Sequence, residues 1–133
     1  MCIRDRATVG VGVDVVDVAR FTLALQRRPA LAERLFTERE RSDAHVRPER
    51  LAARFAAKEA VLKTMGVGIG AVPWKSIEIR RAPSGAPSVT LHGPAAALAA
   101  RRGVDELHVS MTHTSLTAAA IVVGSSSERR DAG

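Results

Sequence analysis

The chain's 133 residues are enough for one domain, and 46% apolar content against only 3% aromatic residues, with no tyrosine, leaves Ala, Val and Leu to build the core. A single cysteine excludes an internal disulfide and a cysteine-based zinc site, and no apolar run reaches the roughly 18 residues of a membrane span. Twenty Lys and Arg against fourteen Asp and Glu, a net +6, call for an anionic partner without saying whether it is nucleic acid, an acidic protein or a phosphorylated small molecule.

Residues 9–16 read V-G-V-G-V-D-V-V, the pattern of a strand buried on both faces but interrupted by a carboxylate. A charge in such a run needs a partner, so Asp14 either meets a metal ion or marks the strand's end and caps the following helix. Gly12, two residues earlier, lets a ligand or another backbone come close. Residues 17–28 predict a helix with Val18, Phe21 and Leu25 inward and Arg20 and Arg27 on another face, stopped by Pro29. Residues 31–36 read as a short apolar turn. Thr37 followed by Glu40 makes a capping box that opens a helix to about residue 45.

Pro48 falls in the first turn of a long helix running to Met65. At ~100° per residue, Leu51, Phe55, Leu62 and Met65 share one bulky arc, while Ala52, Ala56, Glu59 and Lys63 share the next. Glu59 and Lys63 are then either an ordinary surface pair worth ~0.3 kcal/mol or, with alanines leaving room beside them, a site for a divalent cation bound to phosphate. Gly66, Gly68 and Gly70 end the helix in a loop that can wall a ligand, without matching a nucleotide-binding fingerprint.

From Pro73 the period becomes two, and residues 83–87 turn into a second strand at 88–92, a hairpin. Residues 94–102 predict an alanine-rich helix closed by Gly103, followed by strands at 106–112 and 117–123 joined at His113-Thr114-Ser115. This order predicts an α+β fold, a small mainly antiparallel sheet packed on one long helix, in a single domain over residues 7–124. Residues 125–133 read as a polar, disordered tail. The natural compartment is the cytoplasm, since no secretory segment is visible.

Val11-Gly12-Val13-Asp14, followed after a long gap by Phe55-x-x-Lys58-Glu59-Ala60-x-x-Lys63, resembles the paired signature of the 4′-phosphopantetheinyl transferases. Arg54, Trp74-Lys75-x-Ile77-Glu78 and Ser110-Met111-Thr112-His113-Thr114 make the chain most similar to the short, holo-[acyl-carrier-protein] synthase branch, from about Val9 to Val123. The resemblance implies transfer of 4′-phosphopantetheine from coenzyme A to a serine of apo acyl carrier protein. It implies Mg2+, or Mn2+, on Asp14 and Glu59, with Lys63 as the third catalytic residue. Arg54, Phe55, Lys63, Gly66, Gly85, Pro87, His113 and Thr114 are the implied coenzyme A contacts, and Arg20 and Arg27 the implied docking residues for the acidic carrier. A homotrimer with sites between subunits is implied as well, with no role for nucleic acid or membrane.

Residues 1–6 have no counterpart in the family pattern and are set apart as a non-native leader. Asp17 departs from the glutamate usual at its position, and Val16 stands where larger relatives place a third carboxylate, leaving one more water on the metal. The proton of the attacking serine goes either to a metal-bound water or to Glu59. Which carrier is modified, fatty-acid, polyketide or other, stays open. A rival reading, a small basic nucleic-acid-binding module, accounts for the net charge but leaves Asp14 unexplained and lacks aromatic platforms.

Overall fold

The computed structural model describes residues 7–127. The expected leader, residues 1–6, and the last part of the expected tail, 128–133, lie outside the described residues. Strand β1 (Ala7–Asp17) leads into helix α1 (Val18–Arg27), the short helices α2 (Leu31–Leu35) and α3 (Glu38–Asp43), and the long helix α4 (Pro48–Thr64). A single 3₁₀ turn at Trp74–Ser76 precedes the hairpin β2 (Ile77–Arg81) and β3 (Pro87–Leu91). Helix α5 (Gly93–Arg101) and strands β4 (Glu106–His113) and β5 (Thr117–Ser126) complete the fold.

The strands form two antiparallel sheets, a three-stranded one in the order β1-β5-β4 and the separate β2-β3 hairpin. Helix α4 lies against the larger sheet, and around it Ala56, Ala60, Val61 and Leu62 meet Ile77, Ile79 and Val122 in the main core. A second core gathers Phe21, Phe36, Leu51 and Ala52 under α1. The α+β expectation therefore holds, with small residues where aromatic ones are scarce.

The capping box forms as expected: the Glu40 amide donates to Thr37 Oγ1, and the Thr37 amide donates to Glu40 Oε1 at 2.9 Å. Asp17, not Asp14, caps α1, accepting from the Arg20 amide at 2.9 Å. Residues 31–36, read as a turn, wind into α2. Helix α3 stops at Asp43 instead of residue 45, because His45 and Val46 adopt φ values of 51° and 55°. Ser125 and Ser126, assigned to the tail, belong to β5: Ser126 pairs with Ala7, and the Asp105 amide donates to the Ser125 carbonyl.

Strand β1 departs from the expectation of burial on both faces. Its valines alternate outward, and Val9, Val11, Val13 and Val15 are between 43% and 62% exposed on the sheet's free side. Its glycines point at α4. A Cβ on Gly12 would lie 1.9 Å from the Ala60 carbonyl oxygen, and one on Gly10 would lie 2.2 Å from that of Thr64. What approaches the helix closely is therefore β1 itself. Ala52 and Ala56 are likewise fully buried in the cores, so they leave no room for a ligand.

Gly12→Ala should lower the melting temperature by about 10 °C or more, because the added carbon would meet the Ala60 carbonyl, part of a helix backbone that cannot rotate away. Gly68→Ala, where nothing lies within 4 Å of the added carbon, should melt within a couple of degrees of the parent. Thermal denaturation followed by circular dichroism checks both, and equal melting of the two variants would contradict the packing described.

Candidate active site

Two segments 45 residues apart in sequence meet where β1 crosses α4. Glu59 lies one residue from Ala60, the very residue whose carbonyl Gly12 rests against, so the strand-on-helix contact carries Asp14 and Glu59 to the same place. Their carboxyls come close enough for Asp14 to act on the ionisation of Glu59. Lys63, one turn beyond Glu59, donates to Asp14 Oδ1 at 3.0 Å and to the Val13 carbonyl at 3.0 Å. The Asp14 side chain is 11% exposed, that of Lys63 52%, and Glu59 is half-buried.

Burial pushes the Glu59 carboxyl above the ordinary carboxylate range; the Asp14 charge raises it further, and Lys63 works in the opposite sense. Two hard oxygen donors held close together, beside solvent, suit a divalent cation, which would relieve their repulsion. No group of three His, Cys, Asp or Glu able to hold a metal occurs among the described residues, so the fit is that of two carboxylates with the remaining positions left to water and substrate oxygens.

The nucleotide-side expectations separate into those the fold gathers and those it does not. Arg54, Gly85, Pro87 and His113 line one cavity of about 230 Å3. Arg50 and Arg81 join them there, and the sequence reading missed both: they sit outside the recognised motif and reach the cavity only because the hairpin folds over the start of α4. Arg54 is 4% exposed, donates to the Arg50 carbonyl at 3.1 Å and keeps its Nε without a partner. Burial draws its pKa below the usual arginine value, against the pull of Asp43 and Glu40.

Thr114 is not part of that cavity. Its Oγ1 accepts from the amides of Leu116 and Thr117 and so builds the β4–β5 turn. Phe55 also stands apart, its ring 5.3 Å from that of Phe21 and 5.0 Å from that of Trp74. Gly66 takes φ 72° just past the end of α4, where an added Cβ would meet only the Arg102 side chain, and it does not line the cavity. Arg20 and Arg27 do come together, with Arg28, Leu23 and Leu31, along a groove of about 340 Å3 on α1.

The carboxylate pair and the basic cavity occupy opposite edges of the larger sheet. Asp14 pairs with Ala120, which pairs with Met111 of the cavity, so the two stand two strand spacings apart, about 10 Å. Around α4, Arg54 and Glu59 are about 140° apart, which leaves the helix between them.

The raised Glu59 pKa fixes a sign. A carboxyl whose folded pKa lies above its unfolded value adds stability below the unfolded value, and that stability is lost as pH rises through the folded one. In metal-free buffer the parent should therefore lose stability relative to Glu59→Gln as pH rises through the Glu59 titration, and the variant should melt higher above it. Paired melts across that window check this; a difference of opposite slope would show that the two carboxyls do not oppose each other.

Comparisons with known proteins agree with this geometry. The profile of the 4′-phosphopantetheinyl transferase superfamily matches residues 10–121. A holo-[acyl-carrier-protein] synthase of Frankia casuarinae is 53% identical over 117 residues, covering 88% of this chain and 97% of the relative. Among solved structures, the Bacillus anthracis holo-(acyl-carrier-protein) synthase in complex with CoA (3′,5′-ADP) superposes with a TM-score of 0.73 at 33% identity, over 90% of this chain and 97% of its own. The Helicobacter pylori holo-[acyl-carrier-protein] synthase in complex with coenzyme A gives 0.78 at 29% identity, over 86% and 98%. With its paired motifs brought together in space and residues 10–121 matched, the chain belongs to the 4′-phosphopantetheinyl transferase superfamily, within the holo-[acyl-carrier-protein] synthase family.

Proposed function

We propose that this protein transfers the 4′-phosphopantetheine group of coenzyme A to a serine of an apo acyl carrier protein. The observation that carries the reading is the meeting of Asp14, Glu59 and Lys63 at the β1–α4 crossing. The serine oxygen attacks the β-phosphorus, the bond from that phosphorus to the bridging oxygen breaks, and 3′,5′-ADP leaves with the electron pair. A divalent cation, Mg2+ or Mn2+, held by Asp14 and Glu59 would supply neutralisation of the charge that builds on the pyrophosphate oxygens.

This chain's own groups do the rest. Lys63, half exposed and already aimed at the carboxylates, offers its ammonium to a phosphate oxygen as a point charge. Glu59 is the basic group within reach of the serine proton, with solvent the other acceptor. Arg50, Arg54, Arg81 and His113 form a cationic cavity that suits the nucleotide phosphates, the buried Arg54 with an Nε–H still to be satisfied. The groove of Arg20, Arg27 and Arg28 with Leu23 and Leu31 presents charge beside apolar surface, which matches an acidic amphipathic helix of a carrier protein. The chain needs no nucleophile of its own, because the serine is the carrier's. The proposed setting is the cytoplasm; no helix among the described residues is long and apolar enough to cross a membrane.

The same reading takes the protein to be a homotrimer with its sites between subunits. The valine face of β1, continued by Ile121 at 44% exposure, is an apolar sheet surface of the kind subunits bury. The separation of the carboxylate pair from the basic cavity on opposite edges of one sheet fits a site whose two halves come from different subunits.

Incubation of the protein with coenzyme A, Mg2+ and a competent apo carrier should raise the carrier's mass by about 340 Da, the group transferred. Glu59→Ala or Asp14→Ala should slow the transfer at least about 100-fold. Intact-mass spectrometry reads both, and no gain in mass with the parent protein removes the proposal. Light scattering should give about three times the 14.1 kDa chain mass, falling to one chain in Ile121→Glu; a parent already monomeric at working concentration rules out the trimer.

A further inference from the structure

The family signature contains a second lysine, Lys58, whose neighbour Glu59 belongs to the site but which does not face it. Lys58 is fully buried in the middle of α4. Its Nζ donates to Glu40 Oε1 at 2.8 Å, to the Trp74 carbonyl at 2.9 Å and to the Ile77 carbonyl at 2.5 Å, so all three protons are used. Glu40, equally buried, accepts from the Thr37 amide on Oε1 and from the Ile79 amide on Oε2 at 3.0 Å. One ion pair thus ties α4 to the start of α3, to the 3₁₀ turn and to β2.

Stability alone is a poor account of this pair. Two charges removed from water lose several kcal/mol of hydration each, and apolar residues of similar volume often serve as well or better. Burial indeed draws the Lys58 ammonium below its ordinary range, with Glu40 pulling it back. What the pair offers beyond apolar packing is direction, since each hydrogen bond holds only over a narrow angle. On the opposite flank of α4, about 200° from Lys58, Ala60 takes the backbone of Gly12. That contact sets how near β1 comes, while the directional bonds on the Lys58 flank set the angle to which the helix is turned. Glu59 lies between the two flanks, and at its radius a turn of about 15° displaces the side chain by about 1.5 Å, a misplacement that can slow a reaction about 100-fold.

We propose that Lys58 and Glu40 are positioning residues for the transfer, an internal clamp that fixes the rotation of α4 and so sets Glu59 against Asp14. This rests on the functional reading above, in which those two carboxylates hold the cation.

The decisive variant replaces both charges at once, Lys58→Met with Glu40→Leu, which leaves no unpaired ion behind. Melting temperature, Mn2+ binding by electron paramagnetic resonance without coenzyme A, and steady-state transfer are measured on parent and variant well below melting. The clamp predicts a variant that melts within a few degrees of the parent, binds Mn2+ about 10-fold more weakly, and shows a 10- to 100-fold lower kcat with an unchanged KM for the carrier. A folded variant with the parent's Mn2+ affinity and kcat overturns it. If the double variant does not fold, Glu40→Gln decides, since it keeps the volume and the acceptor for Lys58 but offers the Ile79 amide no carboxylate oxygen. Weaker Mn2+ binding in that variant upholds the clamp, and parental binding and rate overturn it. A parent that neither binds Mn2+ nor modifies a carrier defeats the functional reading and the clamp with it, whereas a parent that does both while its variants match it defeats the clamp alone.

Discussion

Everything in the site depends on the direct contact of one strand backbone with one helix backbone. Gly10 and Gly12 bring β1 so close to α4 that a single added carbon would overlap the carbonyl oxygens of Thr64 and Ala60. At that distance the short side chain of Asp14 can reach Glu59 and Lys63 on the helix, where a strand held off by ordinary side chains would leave it several ångströms short. The alanines of α4 serve the same end from the other side, since a larger residue at position 56 or 60 would lift the helix off the core.

This contact also explains why an uncomfortable pair of carboxyls persists. Packing that fixes two backbones fixes the groups next to them, and burial first, with their mutual repulsion second, appears as the raised Glu59 pKa. Lys63 offsets part of it by bridging Asp14 and the Val13 carbonyl. On the proposed reading the two acids would already stand together for a cation, which would lower the reorganisation its binding demands.

Much of this was legible in the sequence, for local reasons. The Thr37-Glu40 capping box, Pro48 at the start of α4 and the turn residues of the hairpin act on their own neighbours; each formed, though Pro87 of the expected turn pairs with Arg81 in β3 and Trp74–Ser76 of the expected strand wind into the 3₁₀ turn. Helical period put Glu59 beside Lys63 and the apolar run singled out Asp14, but only the paired motif joined the two segments. What escaped were facts of tertiary contact. Whether Gly12 faced a ligand or a backbone depends on α4, almost 50 residues away. Lys58 looks like any helix cation until Glu40 and the carbonyls of Trp74 and Ile77 close around it. Thr114 matched a family segment, yet the β4–β5 turn takes its hydroxyl. Arg50 and Arg81 gave no signal on so basic a chain and acquire meaning only beside Arg54.

The alternation of glycine with valine along β1 has an effect on how the chain finds its fold. Slid along β5 by a single place, the strand would turn its branched side chains toward carbonyl oxygens that leave no room even for a methyl group, and would present bare glycine to the outside. A chain threaded in that way cannot close its core. The strand thus proofreads its own alignment by steric exclusion.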